Sequence, residues 1–154
     1  MKNFIITIGA LLYMITIIYF QIDLNEAVRY KQILKYAADE GAATASLFIE
    51  EQAYGNGKFV YNDTEAVKKA REIIKYNLCD NNIKFDISFT DDNEKTRRYN
   101  EDGELVSIES NISSDQQKPI VFIKLKGKNF NFRLPFLSSY KDITVKSHYE
   151  YVPY

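Results

Sequence analysis

Residues that could carry out chemistry are few in this chain, and they are far apart in sequence. The only histidine, His148, shares the polar side of an alternating pattern with Lys146 and Glu150. We therefore interpret His148 as a solvent-exposed side chain rather than a general base. The only cysteine, Cys79, has no histidine near it in sequence, which favours an ordinary thiol over an activated nucleophile. A single cysteine also excludes an internal disulfide.

Two acidic segments could offer oxygen ligands to calcium. They are residues 91–94, Asp-Asp-Asn-Glu, and residues 101–104, Glu-Asp-Gly-Glu. Calcium prefers carboxylate and carbonyl oxygens, but neither segment has the ligand spacing of an EF-hand loop. We favour solvated turns for both segments and leave calcium as the alternative.

The sequence lacks the motifs of common enzyme classes and the charge of a nucleic-acid-binding protein. The chain has no glycine-rich phosphate loop, nucleophile elbow or zinc-ligand pattern. Its net charge is -1 and its isoelectric point is near 5.9, so it lacks the basic footprint of a nucleic-acid-binding protein. Lys124, Lys126 and Lys128 alternate with other residues, which indicates one solvent-exposed face of a strand. The sequence predicts no enzyme, no cofactor, no metal and no small-molecule substrate.

The element that dominates the sequence is an uncharged apolar run at residues 4–20. As a helix it is about 26 Å long, at the lower edge of the length that spans a bilayer. Thr7 and Thr16 are tolerated within it because their hydroxyls can bond to carbonyls of the preceding turn. Bulky residues follow the run and no small-x-small cleavage site does, so we favour an uncleaved single-pass anchor over a cleaved signal peptide. The transmembrane anchor is assigned to residues 1–22 and includes Phe4, Gly9 and Phe20.

Charge alone leaves the orientation of this anchor open. Lys2 precedes the apolar run, whereas Arg29, Lys31 and Lys35 follow it. A count of basic residues places the carboxy-terminal part inside the cell. The flank that carries Lys2 is too short to be a domain, and such short tails commonly stay cytoplasmic.

An amphipathic stalk helix is predicted for residues 23–54. Small or apolar residues recur there every three or four positions, at Ala27, Tyr30, Leu34, Ala37, Gly41, Ala45 and Phe48. Small residues at Ala37, Gly41 and Ala45 let another backbone approach closely, so these three mark a helix-packing interface. We favour packing on a sheet of the same chain, and packing between subunits is the alternative. Gly55 is the expected end of the helix.

Residues 55–154 form the predicted head domain. Asn62 and Glu65 have the spacing of a capping box, and they precede a short amphipathic helix. Period-two patterns then predict strands at residues 83–89, 105–110, 120–126 and 142–151, with a further apolar segment at 130–134. Residues 91–98 are predicted as a polar loop, and Asp102-Gly103 marks a hairpin turn. The expected fold class is α+β, with a long helix, a short helix and an antiparallel sheet.

This layout resembles that of bacterial pilin-like proteins, and most closely that of TadE-like minor pilins, or pseudopilins, of tight-adherence (Tad/Flp) pilus systems. The segment 29–48, with Tyr-Ala-Ala-Asp-Glu-Gly-Ala-Ala at 36–43, is similar to the stretch just beyond the membrane in those proteins. The resemblance implies a pilin-like accessory subunit in the cell membrane. Its partners are then the lipid bilayer, other pilin-like subunits and pilus assembly proteins. It also implies a cytoplasmic amino terminus and an extracytoplasmic head.

One departure from the family pattern favours an accessory subunit over a filament pilin. Pilin precursors are cut after a glycine or small residue, and a glutamate usually stands at the fifth position after the cut. Here the only early glycine is Gly9, and the fifth residue after it is Met14. An uncleaved accessory subunit is therefore expected rather than a filament pilin. The alternatives are a membrane-tethered extracytoplasmic ligand-binding or sensory module, and a secreted protein whose first segment is removed.

Overall fold

The longest element of the described chain is one unbroken helix, α1, which spans Lys2–Ser46. The structure is a computed structural model, and it describes residues 2–79, 83–91, 95–110, 119–127 and 143–150. With 45 residues, α1 is about 68 Å long at 1.5 Å per residue. Its first part is exposed along nearly all its length, whereas its last part carries a buried stripe of small and apolar residues. The same helix is therefore exposed at its amino-terminal end and packed into the core at its carboxy-terminal end.

The stalk helix ends earlier than the sequence predicts. Gly55 was the expected end, but α1 stops at Ser46, and a separate short helix, α2, covers Glu51–Gly55. Between them the chain becomes extended, and Ile49 forms a bridge with Tyr61. Backbone bonds from Glu50 and to Phe48 complete this pairing, because extended backbone groups need partners outside a helix. The last helical part of the predicted stalk therefore belongs to the head.

The third helix, α3, covers Asp63–Leu78 and begins as the capping motif predicts. The side-chain oxygen of Asn62 accepts a hydrogen bond from the Glu65 amide, which satisfies one of the free donors of the first turn. The helix ends at Cys79, which has φ 49° in the left-handed region that commonly closes helices. One apolar face of α3, which includes Ala66, Ala70 and Ile74, is buried.

Within the described part of the chain, five antiparallel strands form one sheet in the order β3-β2-β1-β4-β5. The strands are β1 (Lys84–Thr90), β2 (Lys95–Tyr99), β3 (Leu105–Ser110), β4 (Ile120–Lys126) and β5 (Thr144–Glu150). A long amino-terminal helix, shorter helices and an antiparallel sheet confirm the predicted α+β fold class. Two predicted features, the apolar segment 130–134 and the acidic residues 92–94, lie outside the described residues.

Strand β2 is the element that the sequence analysis placed wrongly in a loop. Its residues, Lys-Thr-Arg-Arg-Tyr, are too polar to show an apolar side. The inward-facing Arg97 and Tyr99 are held instead by hydrogen bonds to Asp63, which replace the usual apolar contacts. A polar sequence can therefore form an inner strand when its charges are paired.

The core lies between the inner face of the sheet and the two long helices. Alternate residues of the two central strands are buried there, namely Phe85, Ile87, Phe89, Val121, Ile123 and Leu125. Helix α1 packs against α3, β4 and β5, so it lies over one half of the sheet. The opposite side of the sheet, here called the outer face, is covered by neither α1 nor α3.

Candidate functional site

The apolar part of α1 lies outside the folded head. Its most apolar window of 18 residues has no buried part, and the helix is long and apolar enough to cross a membrane. Phe4 is 69% exposed, Phe20 is exposed, and a Cβ added to Gly9 would meet nothing within 4 Å. The hydroxyls of Thr7 and Thr16 donate to carbonyls four residues earlier, as expected for hydroxyls in an apolar helix. This segment has the surface of an element that needs an apolar surrounding.

The three predicted packing residues, Ala37, Gly41 and Ala45, are buried inside the chain itself. A Cβ on Gly41 would lie 2.9 Å from Cγ1 and Cδ1 of Ile74 and 3.3 Å from Cδ1 of Ile123. Ile74 belongs to α3 and Ile123 to β4. The close approach that the small residues permit is therefore between α1, α3 and the sheet, which is the first of the two alternatives left open by the sequence. All three positions are therefore buried within the folded head.

A second stripe of apolar residues runs along another side of α1 and is exposed. Spacings of three and four residues place its members on one helix face, apart from a polar interruption at Asn25 and Arg29. We call it the outer stripe, and its members are Leu11, Ile15, Ile18, Ile22, Ile33 and Tyr36. The stripe extends from the apolar segment into the level of the head. On either side of the polar interruption it offers an apolar surface on which another helix could pack.

Hydrogen bonds hold the upper end of the outer stripe against the head. The Tyr36 hydroxyl donates to one oxygen of Glu40 at 2.5 Å, and the side-chain amide of Asn77 donates to the other at 2.5 Å. Asn77 lies on α3, so Glu40 links the two helices. These bonds lower the pKa of Glu40 and raise the pKa of Tyr36. The Tyr36 ring itself remains 58% exposed.

A polar contact also covers the edge of the sheet at β5. The Lys35 ammonium donates to Asp39 at 2.6 Å and to the backbone carbonyl of Lys146 at 2.9 Å, and the Ser147 hydroxyl donates to Asp39. Burial raises the pKa of Asp39, but the hydrogen bonds from Lys35 and Ser147 outweigh it and hold that pKa below its usual value. His148 follows Ser147 on the opposite face of the strand. The Asp39–Ser147 pair therefore lacks a histidine in position to act as a base.

A largely buried cluster of charged side chains connects α3 to the sheet. Arg97 binds Asp63 through two nitrogens, at 2.5 and 2.9 Å, and Asp91 through a third at 2.5 Å. Burial would lower the pKa of Arg97, but the hydrogen bonds to both carboxylates outweigh it and raise that pKa. Burial and the hydrogen bond to Asp63 raise the pKa of Tyr99 to about 12. Each Arg97 nitrogen and the Tyr99 hydroxyl donate to a carboxylate of the protein, so the cluster fastens α3 to the sheet.

The residues that could carry out chemistry do not come together in the fold. Cys79 and His148 are exposed at different elements. Residues 101–104 form a tight turn in which the Asn100 side chain accepts from two backbone amides, and Gly103 has φ +84°. Within the described ranges, no three histidine, cysteine, aspartate or glutamate side chains are placed to hold a metal ion. The described geometry assembles no catalytic constellation.

Among the described residues, the surface of the head has depressions that include the following two. One, of about 210 Å³, lies on the outer face among Asp86, Arg98, Phe122 and Lys124. The other, of about 260 Å³, lies between α3 and the β2–β3 turn and is lined by Val67, Arg71 and Asp102 among others. Both are small and mixed in polarity for a pocket that takes a drug-sized ligand.

Sequence reasoning missed the Arg97 cluster and the outer stripe. The polar residues of β2 gave no apolar period, and the exposed side of α1 is recognised only once its buried side is known. No family model, no curated protein and no solved structure matches the chain. Its functional surfaces must therefore be judged from their own geometry.

Proposed function

We propose that this protein is a membrane-anchored, pilin-like accessory subunit of a Tad or type IV-related pilus or secretion apparatus. It acts through helix packing and protein–protein contacts rather than through catalysis. The observation that carries the proposal is that α1 is both an exposed apolar rod and the central helix of the head. The layout resemblance of the sequence to TadE-like minor pilins supports the same function.

In this proposal the packing surface is the outer stripe. Ala37, Gly41 and Ala45 hold α1 in the head, and the stripe on another side meets other pilin-like subunits or assembly proteins. Its apolar members reach from the middle of the anchor to Tyr36. In the bilayer, where lipid is as apolar as the helix, close shape fit and polar contacts drive association. At the level of the head, Ile33 and Tyr36 add apolar burial.

The proposed location is the cell membrane, with a single pass, a cytoplasmic amino terminus and an extracytoplasmic head. Residues 1–22 stay attached as the anchor. Alkaline carbonate extraction of membranes tests the anchoring, and amino-terminal sequencing of the extracted protein tests whether the segment is retained. Release of the chain by carbonate, or a mature start after residue 20, would contradict the anchor.

Site-specific photo-cross-linking tests the assembly function. A photoreactive residue replaces Tyr36 or Ile33 on the outer stripe, and Val28 is the matched control. Val28 is also exposed, and at 100° per residue it lies about 140° around the helix from Ile33 and about 80° from Tyr36. We expect capture of pilin-like or assembly proteins from positions 33 and 36 and little capture from position 28. Equal capture at all three positions would remove the outer stripe as the interface.

The second candidate function is a membrane-tethered extracytoplasmic ligand-binding or sensory module. The depression beside Arg71 favours it, because the Nε atom of Arg71 is buried there without a hydrogen-bond partner. A variant of Arg71 distinguishes this candidate function from the first one. An Arg71→Gln change leaves partner capture by the outer stripe intact if the protein is an assembly subunit. Neighbouring genes for an assembly ATPase and other short pilin-like proteins would also favour the first candidate.

A further inference from the structure

Asp23 lies on α1 between the apolar segment and the head, and it is buried. It is only 1% exposed, whereas its neighbours Ile22 and Leu24 are 37% and 40% exposed. A helix by itself does not hide one side chain while its neighbours stay open, so another part of the chain must cover Asp23. Burial of a carboxylate is costly unless a cation or hydrogen-bond donors compensate it. The cover must therefore supply such a group, and Asp23 does take part in an interaction within the chain.

The buried side of α1 continues from the head as far as Asp23. At 100° per residue, Asp23, Ala27, Tyr30 and Leu34 lie within about 60° of one another around the helix. Leu34 is buried, and Ala27 and Tyr30 are partly buried. We call Asp23, Ala27 and Tyr30 the lower face of α1. It is separate from the outer stripe, because Ile33 of that stripe lies about 80° around the helix from Asp23.

The near end of the sheet meets α1 just beyond this face, at Gly127. A Cβ on Gly127 would meet Leu34 at 2.5 Å and Tyr30 at 3.0 Å, and the Gly127 amide donates to the carbonyl of Ile143 at 2.8 Å. Both ends of the chain between Gly127 and Ile143 are therefore at the level of Tyr30. Asp23 is seven residues before Tyr30, which is about 10 Å along the helix axis.

The chain between Gly127 and Ile143 is long enough to cover the lower face. It consists of the fifteen residues 128–142, which lie outside the described residues. A segment of this length that goes out and returns reaches about 23 Å from its two ends at 3.3 Å per residue. That is more than twice the distance from Tyr30 to Asp23.

The other internal and carboxy-terminal segments outside the described residues are badly placed or too short for this role. The row of Thr90, Ile120 and Glu150 is at the far end of the sheet, about 23 Å from Gly127 along the strands. Three segments adjoin that row, namely residues 92–94, 111–118 and 151–154. Residues 80–82 are at the near end, but three residues reach only about 7 Å. Their sequence, Asp-Asn-Asn, also has no cation for a buried carboxylate.

The composition of residues 128–142 suits a face that is apolar except for one carboxylate. Their sequence, Lys-Asn-Phe-Asn-Phe-Arg-Leu-Pro-Phe-Leu-Ser-Ser-Tyr-Lys-Asp, has three basic side chains and one acidic side chain. Lys128 and Lys141 are next to the ends of the segment, whereas Arg133 is near its middle. Six residues from Gly127 span up to about 20 Å, so Arg133 is within reach of Asp23. Arginine also suits a buried ion pair, because its planar fork matches a carboxylate and is weakly hydrated.

We infer that residues 128–142 pack on the lower face of α1 and that Arg133 binds the carboxylate of Asp23. The contact lies within one chain and does not depend on the proposed pilus function. Because Asp23 is only about 4.5 Å beyond Phe20 along the helix, the contact stiffens the junction between the apolar segment and the head. It also withdraws the lower face from other subunits, which leaves them the outer stripe.

Thiol accessibility tests whether residues 128–142 cover the lower face. The full-length chain in detergent carries Cys79→Ser, which removes its only thiol, together with Ala27→Cys or with Val28→Cys. Val28 is the matched control, since it is the next residue and is exposed on another side of α1. Because thiol reactivity follows exposure, we expect a water-soluble maleimide to label position 27 about tenfold more slowly than position 28. Replacement of residues 128–142 by Asn-Gly, a pair that closes two-residue hairpins, should abolish the difference.

Two charge variants test the role of Arg133. Arg133→Gln removes the cation proposed for Asp23, so labelling at position 27 should become several-fold faster. Lys128→Gln is the matched control, because it removes a positive charge at the end of the same segment, and it should leave the labelling rate unchanged. Equal rates for the two variants would overturn the assignment of Arg133.

Cross-linking keeps the test valid if the shortened chain folds poorly. With Cys79→Ser, the pair Asp23→Cys and Arg133→Cys should be joined within one chain by a short bis-maleimide. The pair Val28→Cys and Arg133→Cys should not. Cross-links that form between chains instead would show that a second copy supplies the segment, and they would overturn the inference.

The outcomes of these experiments are separate from those that test the anchor. Labelling at position 27 that stays slow after residues 128–142 are replaced, with the circular dichroism of the sheet intact, would overturn the inference. Equal rates at positions 27 and 28 in the chain of full length would do the same. Neither result bears on carbonate extraction, which tests the membrane anchoring by itself.

Discussion

Gly41 of α1 lies so close to Ile74 of α3 that a Cβ on the glycine would stand 2.9 Å from two carbons of that side chain. This contact is one of those by which α1 is packed into the head. A glycine in a helix interior costs about 1 kcal/mol relative to alanine. The close packing of α1 on α3 and β4 is the compensating gain.

A larger side chain at position 41 should destabilise the head. We expect Gly41→Leu to lower the free energy of unfolding by about 1–3 kcal/mol or more, because the added atoms overlap Ile74 and Ile123. Denaturant titration of the full chain in detergent, followed by circular dichroism, measures this. Gly9→Leu is the matched control, since a side chain at Gly9 meets nothing within 4 Å. Equal stability of the two variants would refute the packing assigned to Gly41.

Removing Arg97 should be far more costly than removing its neighbour Arg98. The side chain of Asp91 has no exposure to solvent, so Arg97→Ala leaves a buried carboxylate without its cation and costs about 3–5 kcal/mol. Arg98 and Asp86 form a partly exposed pair that solvent screens, for which about 0–1 kcal/mol is typical. Both variants are compared by denaturant unfolding. Similar losses for the two would show that the Arg97 cluster is more solvated than its geometry indicates.

Tyr99 should make the stability of the head fall in alkali. Its pKa is 10.0 in the ordinary state and about 12 in the folded protein, so the unfolded chain loses this proton first. The contribution is complete below pH 10 and is lost as pH rises towards 12. Unfolding free energies measured across this interval should decline less steeply for Tyr99→Phe than for the native chain. Parallel curves would mean that the Tyr99 hydroxyl does not titrate as proposed.

The two faces of α1 should respond differently to truncation. Tyr36→Ala removes an exposed ring and its solvent-exposed hydrogen bond to Glu40, so the unfolding free energy should change little, while recovery of partner proteins with the chain falls. Leu34→Ala creates a cavity in the core and should cost about 2–5 kcal/mol. Stability is measured by denaturant unfolding and partner recovery by co-purification from detergent extracts. Full recovery of partners with Tyr36→Ala would place the interface elsewhere.

The local pattern of the sequence determined the elements of this protein. The apolar run, the cap at Asn62 and the alternating strands were all predicted close to where they lie, because each depends on neighbours a few residues away. Helix followed by sheet also determined the α+β class. The hydroxyls of Thr7 and Thr16 bond as predicted, since their partners are one turn earlier in the same helix.

Only the tertiary structure decided what the surfaces of these elements meet. A stripe of small residues at Gly41 indicates that some backbone or side chain approaches closely, but not which one, and the folded head supplies it as Ile74. Strand β2 could not be recognised because Arg97 is satisfied by Asp63, a residue of another element. The pairing of Lys84 with Lys126 likewise depends on sheet register. Contacts between residues distant in sequence are set by the packing of whole elements, and local periodicity carries no record of them.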